Sequence, residues 1–336
     1  MATDIDTTLL RRIADEHGTP TYVYNLAEIS DKLGTLRQEL PGTLIHYAVK
    51  ANPSGGVLRY LAAQGVGAEV ITVGELARAL RAGIPASDII VGGPGQDEAL
   101  IREAAEQSIG LVSLDSASQY DLWERQTVGL TSFLVRLNPG LDPRTHEHLA
   151  TGAATSKFGL LFDDAKALAE RVDASGRLAG FHVHAGSQIS DLAVYDEIFA
   201  QLSRLYEAFP ACKTLDIGGG FAVPGFPLAA FALKVSTFAE QFGVEVRLEP
   251  GRYLVAEAGT LLTRVRHVKP GGPVTHVIAD AGMADLLRPA LYDADHPIRS
   301  LEDRELENGG DDAGSYVDVD GPLCENADRL GRERAR

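Results

Sequence analysis

The sequence predicts an α/β fold, a (β/α)8 barrel of the TIM type accompanied by a β-rich domain, and three observations carry that prediction. Short runs rich in Val, Ile and Leu recur eight times along the middle of the 336-residue chain. Most are followed by a stretch with apolar residues at helical spacing that stops at Gly or Pro. Toward the carboxyl end the pattern changes to the alternation of half-buried strands. Eight strand and helix units suit a barrel that typically needs about 250 residues. An open, doubly wound sheet is the competing arrangement.

Taken in order, residues 1–30 hold a helix and an extended TYVYN run. Barrel strands are read at TLIHYAVK (43–50), AEVIT (68–72), DIIVGG (88–93), GLVSLD (110–115), SFLVRLN (132–138), LAGFHVHAG (178–186), TLDIGGG (214–220) and VEVRLEPG (244–251). Between them, GVLRYLAAQG, GELARALRAG, DEALIREAAEQ and DLAVYDEIFAQLSRLYEAF carry helical periodicity. Beyond the barrel, AGTLLTRVRHV, VTHVIADAG and SYVDVDGPL alternate like strands. The resulting division is a barrel over 31–254 and a β-rich domain built from 1–30 and 255–336. The acidic LEDRELENGGDDAG (301–314) reads as a solvated surface loop.

Composition narrows the function. With 31 basic and 47 acidic residues the chain carries a net charge of −16, which repels phosphate backbones and anionic lipid. Nucleic acid and membrane surfaces are therefore poor partners. Cys212 and Cys324 are the only cysteines, far apart in sequence and in no metal-ligand spacing, so neither a disulfide framework nor a zinc module is supported. The amino terminus has no apolar signal region, and no run reaches 18 apolar residues. A cytoplasmic protein is expected.

Barrels of this kind build their active sites at the carboxyl ends of the strands. There the sequence places Lys50, Glu69, Arg136, His182, His184, Gly218, Gly219, Gly220, Glu249 and Arg252. A lysine at the end of an apolar strand suits Schiff-base chemistry, because desolvation lowers its pKa and frees the amine. Consecutive glycines after a strand expose backbone N–H groups of the kind that hold phosphate. Each residue also has a plainer reading: a solvated lysine, a tight turn, a glutamate paired with Arg252, a satisfied core histidine. Convergence on one rim favours a cofactor site.

The motifs YAVKAN (47–52), HVHAGSQ (182–188), DIGGGF (216–221), EPGR (249–252), DAGMADLLRPALYDADH (280–296) and GPLCE (321–325) resemble those of the fold-type III pyridoxal-phosphate-dependent decarboxylases. Within that group the similarity is greatest to the diaminopimelate decarboxylases; THEHLATGAATSKFG (145–159) and RPALYDA are the more particular signs. The resemblance implies pyridoxal 5′-phosphate as cofactor, bound through the Lys50 amine, with His184 against its ring. It implies phosphate binding by Ser187 and Gly218 to Gly220, with Gly251 and Arg252 closing that side, and Glu69 beside the cofactor. Glu249 would pair with the pyridine nitrogen, keeping it protonated so that the ring accepts the electrons left when CO2 departs.

Diaminopimelate has an amino-acid group at each end, so its unreacting end needs one cation and one anion. The resemblance assigns Arg252, Arg288 and Tyr292 to its carboxylate and Glu325 to its ammonium, Arg being suited to bidentate capture. Cys324 and Glu325 are implied to reach the active site of a neighbouring subunit, giving a homodimer with shared sites. Lys50 or Cys324 returns the proton to Cα, and L-lysine is the expected product. A decarboxylase or racemase of the same fold acting on another amino acid or a carrier-bound aminoacyl group is the alternative, and a truncated, non-catalytic relative that binds the cofactor is the second alternative. Three departures from the family pattern stand out, the first being a short amino-terminal segment, as in a subset of the family. Glu69 occupies a position where many relatives have Asp. The chain also stops soon after GPLCE, where relatives continue through further strands, so an incomplete β domain is expected.

Overall fold

A computed structural model describes residues 6–126, 131–141, 155–271, 274–301 and 316–335. Contacts divide the chain into two compact units, Leu26–Ala258 and Met1–Asn25 with Gly259–Arg336. Residues 302–314 of the acidic segment and 145–154 of THEHLATGAATSKFG lie outside the described residues.

In chain order the strands are β1 (Thr21–Tyr24), β2 (Leu44–Ala48), β3 (Gly67–Val70), β4 (Ile89–Val91), β5 (Leu111–Leu114), β6 (Ser132–Leu137), β7 (Leu178–Val183), β8 (Thr214–Asp216), β9 (Glu245–Leu248), β10 (Gly259–Leu262), β11 (Val265–Gly271), β12 (Val274–Ala279), β13 (Tyr316–Asp320) and β14 (Arg329–Ala335). Strands β2 to β9 form a closed parallel barrel, sealed where Leu44 and Ile45 pair with Arg247 and Leu248. Buried on both faces, these strands are nearly continuous apolar runs, as in the Ile-Ile-Val of β4. The helices between them are amphipathic. Helix Val73–Arg81 buries Leu76 and Ala79 and starts at Thr72, whose hydroxyl accepts the Glu75 N–H at 3.2 Å. Helix Leu26–Glu39 belongs to the barrel unit, burying Ile29, Leu33 and Leu36. Around β6, Phe133 meets Tyr120 and Trp123 edge to face at 5.4 and 6.0 Å.

The barrel strands stop earlier than their sequence runs suggest, and that shortening makes the rim. β2 ends at Ala48, so Lys50 sits on a single 3-10 turn, Val49–Ala51. β7 ends at Val183 and β8 at Asp216, which puts His184 and Gly218 to Gly220 on loops. Rim segments bond to one another: Ala48 N–H donates to Pro250 O at 3.2 Å, and Glu249 N–H to Gly218 O at 2.7 Å.

In the other unit β1 pairs antiparallel with β10, and a four-stranded sheet has the order β11-β12-β13-β14 with β12 and β13 parallel. Its small core holds Ala279, Ala281 and Leu330, packed by Leu261, Leu286, Ile298 and Val319. The sequence pattern indicates no strand in ADRLGRERAR, yet β14 forms there. Its Arg329 forms ion pairs with Asp318 and Asp320, each at 2.8 Å, and Leu330 turns into the core. No helix among the described residues is long and apolar enough to cross a membrane.

Candidate active site

A barrel of this type is normally filled by branched apolar side chains. Here Glu69 of β3, Ser113 of β5, Arg136 of β6, His182 of β7, Asp216 of β8 and Glu249, just after β9, are all buried. Buried charge is costly unless paired. Arg136 meets Asp115 at 3.1 Å, and the same Asp115 oxygen accepts the Gly159 N–H at 2.7 Å. Glu69 pairs with Lys50. Asp216 Oδ1 accepts the Gly218 N–H at 2.8 Å, but Asp216 Oδ2 and Glu249 Oε1 are buried without a hydrogen-bond partner.

The titration of these groups follows from that accounting. Burial pushes Glu249 well above the usual carboxylate range, and the nearby charges of Asp216 and Glu69 add to the shift. Burial also raises Asp216, to about 6, with the Gly218 N–H pulling back. His182 and His184 are held neutral, the latter at about 3, by burial and then by the charge of Arg136. Lys50 differs from the sequence expectation. Burial pulls its pKa down, but the charges of Glu69 and Glu249 outweigh that pull, so the net shift is upward and the amine is an ammonium. Partial burial alone does not free it, because the same end of the barrel concentrates carboxylates.

The glycine loop leaves no room for side chains. A Cβ on Gly219 would lie 2.3 Å from Glu249 O, and one on Gly220, at φ +87°, 2.0 Å from Gly186 O. The loop is braced by the Gly219 N–H, which donates to His184 Nδ1 at 3.2 Å, and by the Ile189 N–H, which donates to Gly220 O at 2.9 Å. Ser187 is exposed on the adjoining loop. Gly251 packs where a Cβ would meet that of Ala51 at 3.0 Å, and Arg252 opens the short helix Arg252–Val255.

The barrel therefore gathers Lys50, Glu69, His184, Gly218 to Gly220, Glu249, Gly251 and Arg252 at the carboxyl ends of its strands. Arg288, Tyr292, Cys324 and Glu325 belong to the other unit. Arg288 and Tyr292 begin and end the helix Arg288–Tyr292, where Tyr292 is 70% exposed; Cys324 is an exposed thiol. Two further residues carry structure that the motifs did not reveal. Buried Asp328 accepts N–H bonds from Met283 at 2.5 Å and Leu323 at 2.6 Å, tying the DAGMADLLRP segment to GPLCE. Ser113, inside an ordinary apolar strand, lies 2.6 Å from His182 Nδ1. Only its polarity within GLVSLD marked it.

A buried carboxylate oxygen without a partner, a backbone cradle that excludes Cβ atoms and an amine beside them fit a cofactor with a ring nitrogen, a phosphate and an aldehyde. The fold and site are those of the pyridoxal-dependent decarboxylase class, and the family model described as the pyridoxal binding domain of these decarboxylases matches residues 26–256. The chain is 35% identical to the diaminopimelate decarboxylase of Zymomonas mobilis over 97% of its own length and 81% of that protein. It is 38% identical to the Deinococcus radiodurans enzyme, covering 96% of this chain and 82% of the relative. The crystal structure of Helicobacter pylori diaminopimelate decarboxylase complexed with L-lysine superposes with a TM-score of 0.86 at 30% identity, covering 97% and 84% of the two chains. This chain belongs to the diaminopimelate decarboxylase family.

Proposed function

We propose that this protein is a carboxy-lyase that decarboxylates meso-2,6-diaminopimelate to L-lysine with pyridoxal 5′-phosphate, the last step of lysine biosynthesis. The unpartnered, buried Glu249 oxygen carries this reading, because a carboxylate facing a ring nitrogen suits decarboxylation. When bound, the cofactor supplies the electron sink for the pair left behind as CO2 departs. Lys50 anchors it through its amine, with Glu69 as the neighbouring carboxylate, and His184 packs on the ring. The backbone of Gly218 to Gly220, Ser187, Gly251 and Arg252 hold the phosphate. Glu249, raised by burial, holds a proton at the ring nitrogen.

At the unreacting end of the substrate, Arg252, Arg288 and Tyr292 bind the carboxylate and Glu325 the ammonium. The protein acts as a cytoplasmic homodimer in which Cys324 and Glu325 of the partner subunit complete each site. Lys50 or that cysteine delivers the proton to Cα. The test is incubation with meso-diaminopimelate and cofactor, measuring CO2 and L-lysine alongside a panel of lysine, ornithine and arginine. Stoichiometric L-lysine and CO2 are expected, with loss of turnover and of the visible cofactor band in Lys50→Ala. Preference for another amino acid, or no CO2 at all, overturns the assignment.

A further inference from the structure

Ser113 and His182 have no part in the roles above, yet both are buried in the barrel beside Glu249. Ser113 Oγ lies 2.6 Å from His182 Nδ1. The other ring nitrogen, His182 Nε2, stands 3.5 Å from Glu249 Oε2. His182 Nε2 and Glu249 Oε1 are both buried without a hydrogen-bond partner. Ser113 is itself fixed: its carbonyl accepts from Gln96 Nε2 at 2.7 Å, and Gln96 Oε1 accepts the Trp123 indole N–H at 2.7 Å. A row of buried polar contacts thus runs from the helix Ala117–Gln126 through the barrel wall to the carboxylate.

The geometry points to His182, oriented by Ser113, as the positioning residue of Glu249: the Ser113 hydroxyl donates to Nδ1, Nε2–H donates to Glu249 Oε2, and Glu249 Oε1 is left for the cofactor's ring nitrogen. This inference rests on the role given to Glu249 in the proposed function. A neutral imidazole has one N–H, and which nitrogen carries it is set by the partner of the other. His182 is kept neutral by burial and by Arg136, so the hydroxyl at Nδ1 puts the proton on Nε2. A neutral donor orients the carboxylate without bringing a second full positive charge to compete with the ring nitrogen. Arg136, although buried nearby, is already engaged by Asp115.

The test compares pyridoxal phosphate with the analogue in which CH replaces the ring nitrogen. Dissociation constants for both are measured in wild type, Ser113→Ala, His182→Phe and His182→Gln through the fluorescence of Trp123, the chain's single tryptophan. Thermal melting checks that each variant is folded. Wild type is expected to prefer the natural cofactor. That preference should shrink about tenfold in His182→Phe and about threefold in Ser113→Ala. His182→Gln, which keeps an N–H donor, should recover part of it. Equal weakening of both ligands, or an unchanged preference in folded variants, overturns the positioning role. If His182→Phe does not fold, Ser113→Ala decides. A wild type that binds both ligands equally would refute the role of Glu249 as well, and one that binds neither would refute the cofactor reading.

Discussion

At the scale of single residues, the site is governed by an imbalance of buried charge. Glu69, Asp115, Asp216 and Glu249 are buried carboxylates, while Arg136 is a buried guanidinium and Lys50 stands half-exposed beside them. Lys50 feels this excess as an upward pull that overcomes its desolvation, and Glu69 contributes most to that pull. Glu69→Gln is therefore expected to lower the Lys50 pKa. The capture of cofactor by the apoprotein, followed against pH, should then reach its plateau at lower pH than in wild type; an unshifted profile would show that Glu69 does not control the amine. The middle of β2 gives a stability prediction. His46 is lowered from 6.5 to about 3 by burial and then by the charge of Arg247. A depressed histidine binds its proton in the unfolded chain first, so its contribution is complete above pH 6.5 and is lost as pH falls toward 3. His46→Gln should flatten the fall of unfolding free energy across that window by on the order of a few kcal/mol. Asp216 works with the reverse sign: raised from 3.8 to about 6, it favours the fold at acid pH and loses that contribution as pH rises through 6. Denaturant titrations at several pH values in the two backgrounds separate the histidine from the aspartate.

At the scale of elements, the site is made by what happens just after each strand ends. The glycine loop after β8 is the clearest instance. Gly220→Ala meets both a positive φ of +87° and a carbonyl 2.0 Å from the new Cβ, so a Tm fall of roughly 5–8 °C is expected together with weaker cofactor binding. Gly42 also has positive φ, at +80°, but nothing lies within 4 Å of its would-be Cβ, and Gly42→Ala should cost only about 1 kcal/mol. Comparable losses in the two variants would mean that backbone conformation rather than the close approach sets the cost. The same elements show what could be read beforehand. All eight barrel strands were legible because parallel strands buried on both faces are short apolar runs followed by helical periodicity. The motif residues of the rim were legible because they cluster at those strand ends. Ser113 and Asp328 were not, since their roles depend on partners 69 residues away at His182 and 45 residues away at Met283, and no local pattern records such a pairing. β14 was hidden for a related reason: its charged residues look solvated until Asp318 and Asp320 are placed opposite Arg329.

At the scale of the whole molecule, the predicted site residues divide between two units of one chain. The barrel unit holds Lys50, His184, the glycine loop and Glu249, whereas Arg288, Tyr292, Cys324 and Glu325 belong to the unit built from the chain ends. Leu287, Leu291 and Tyr292 are 50, 58 and 70% exposed, and Cys324 is an exposed thiol beside Leu323, itself 51% exposed. Such apolar exposure next to residues assigned to substrate binding suits a surface that a second subunit covers. A symmetric dimer with sites shared between subunits makes a quantitative demand. Lys50→Ala damages the barrel half of a site, and Cys324→Ala damages the half contributed by the other subunit, so each homodimer has two impaired sites. When the two variants are unfolded together and refolded, or mixed under exchange, half of the dimers are heterodimers. In each heterodimer one site carries both lesions and the other carries neither, so activity should return to about one quarter of the wild-type level. The Lys50→Ala homodimer is expected to be inactive, and any residual turnover of the Cys324→Ala homodimer is subtracted before comparison. Sedimentation at the assay concentration establishes that dimers are present. If dimers form and mixing restores nothing above the two variants measured separately, both lesions lie in the same subunit's site, and the sharing of Cys324 across the interface is wrong.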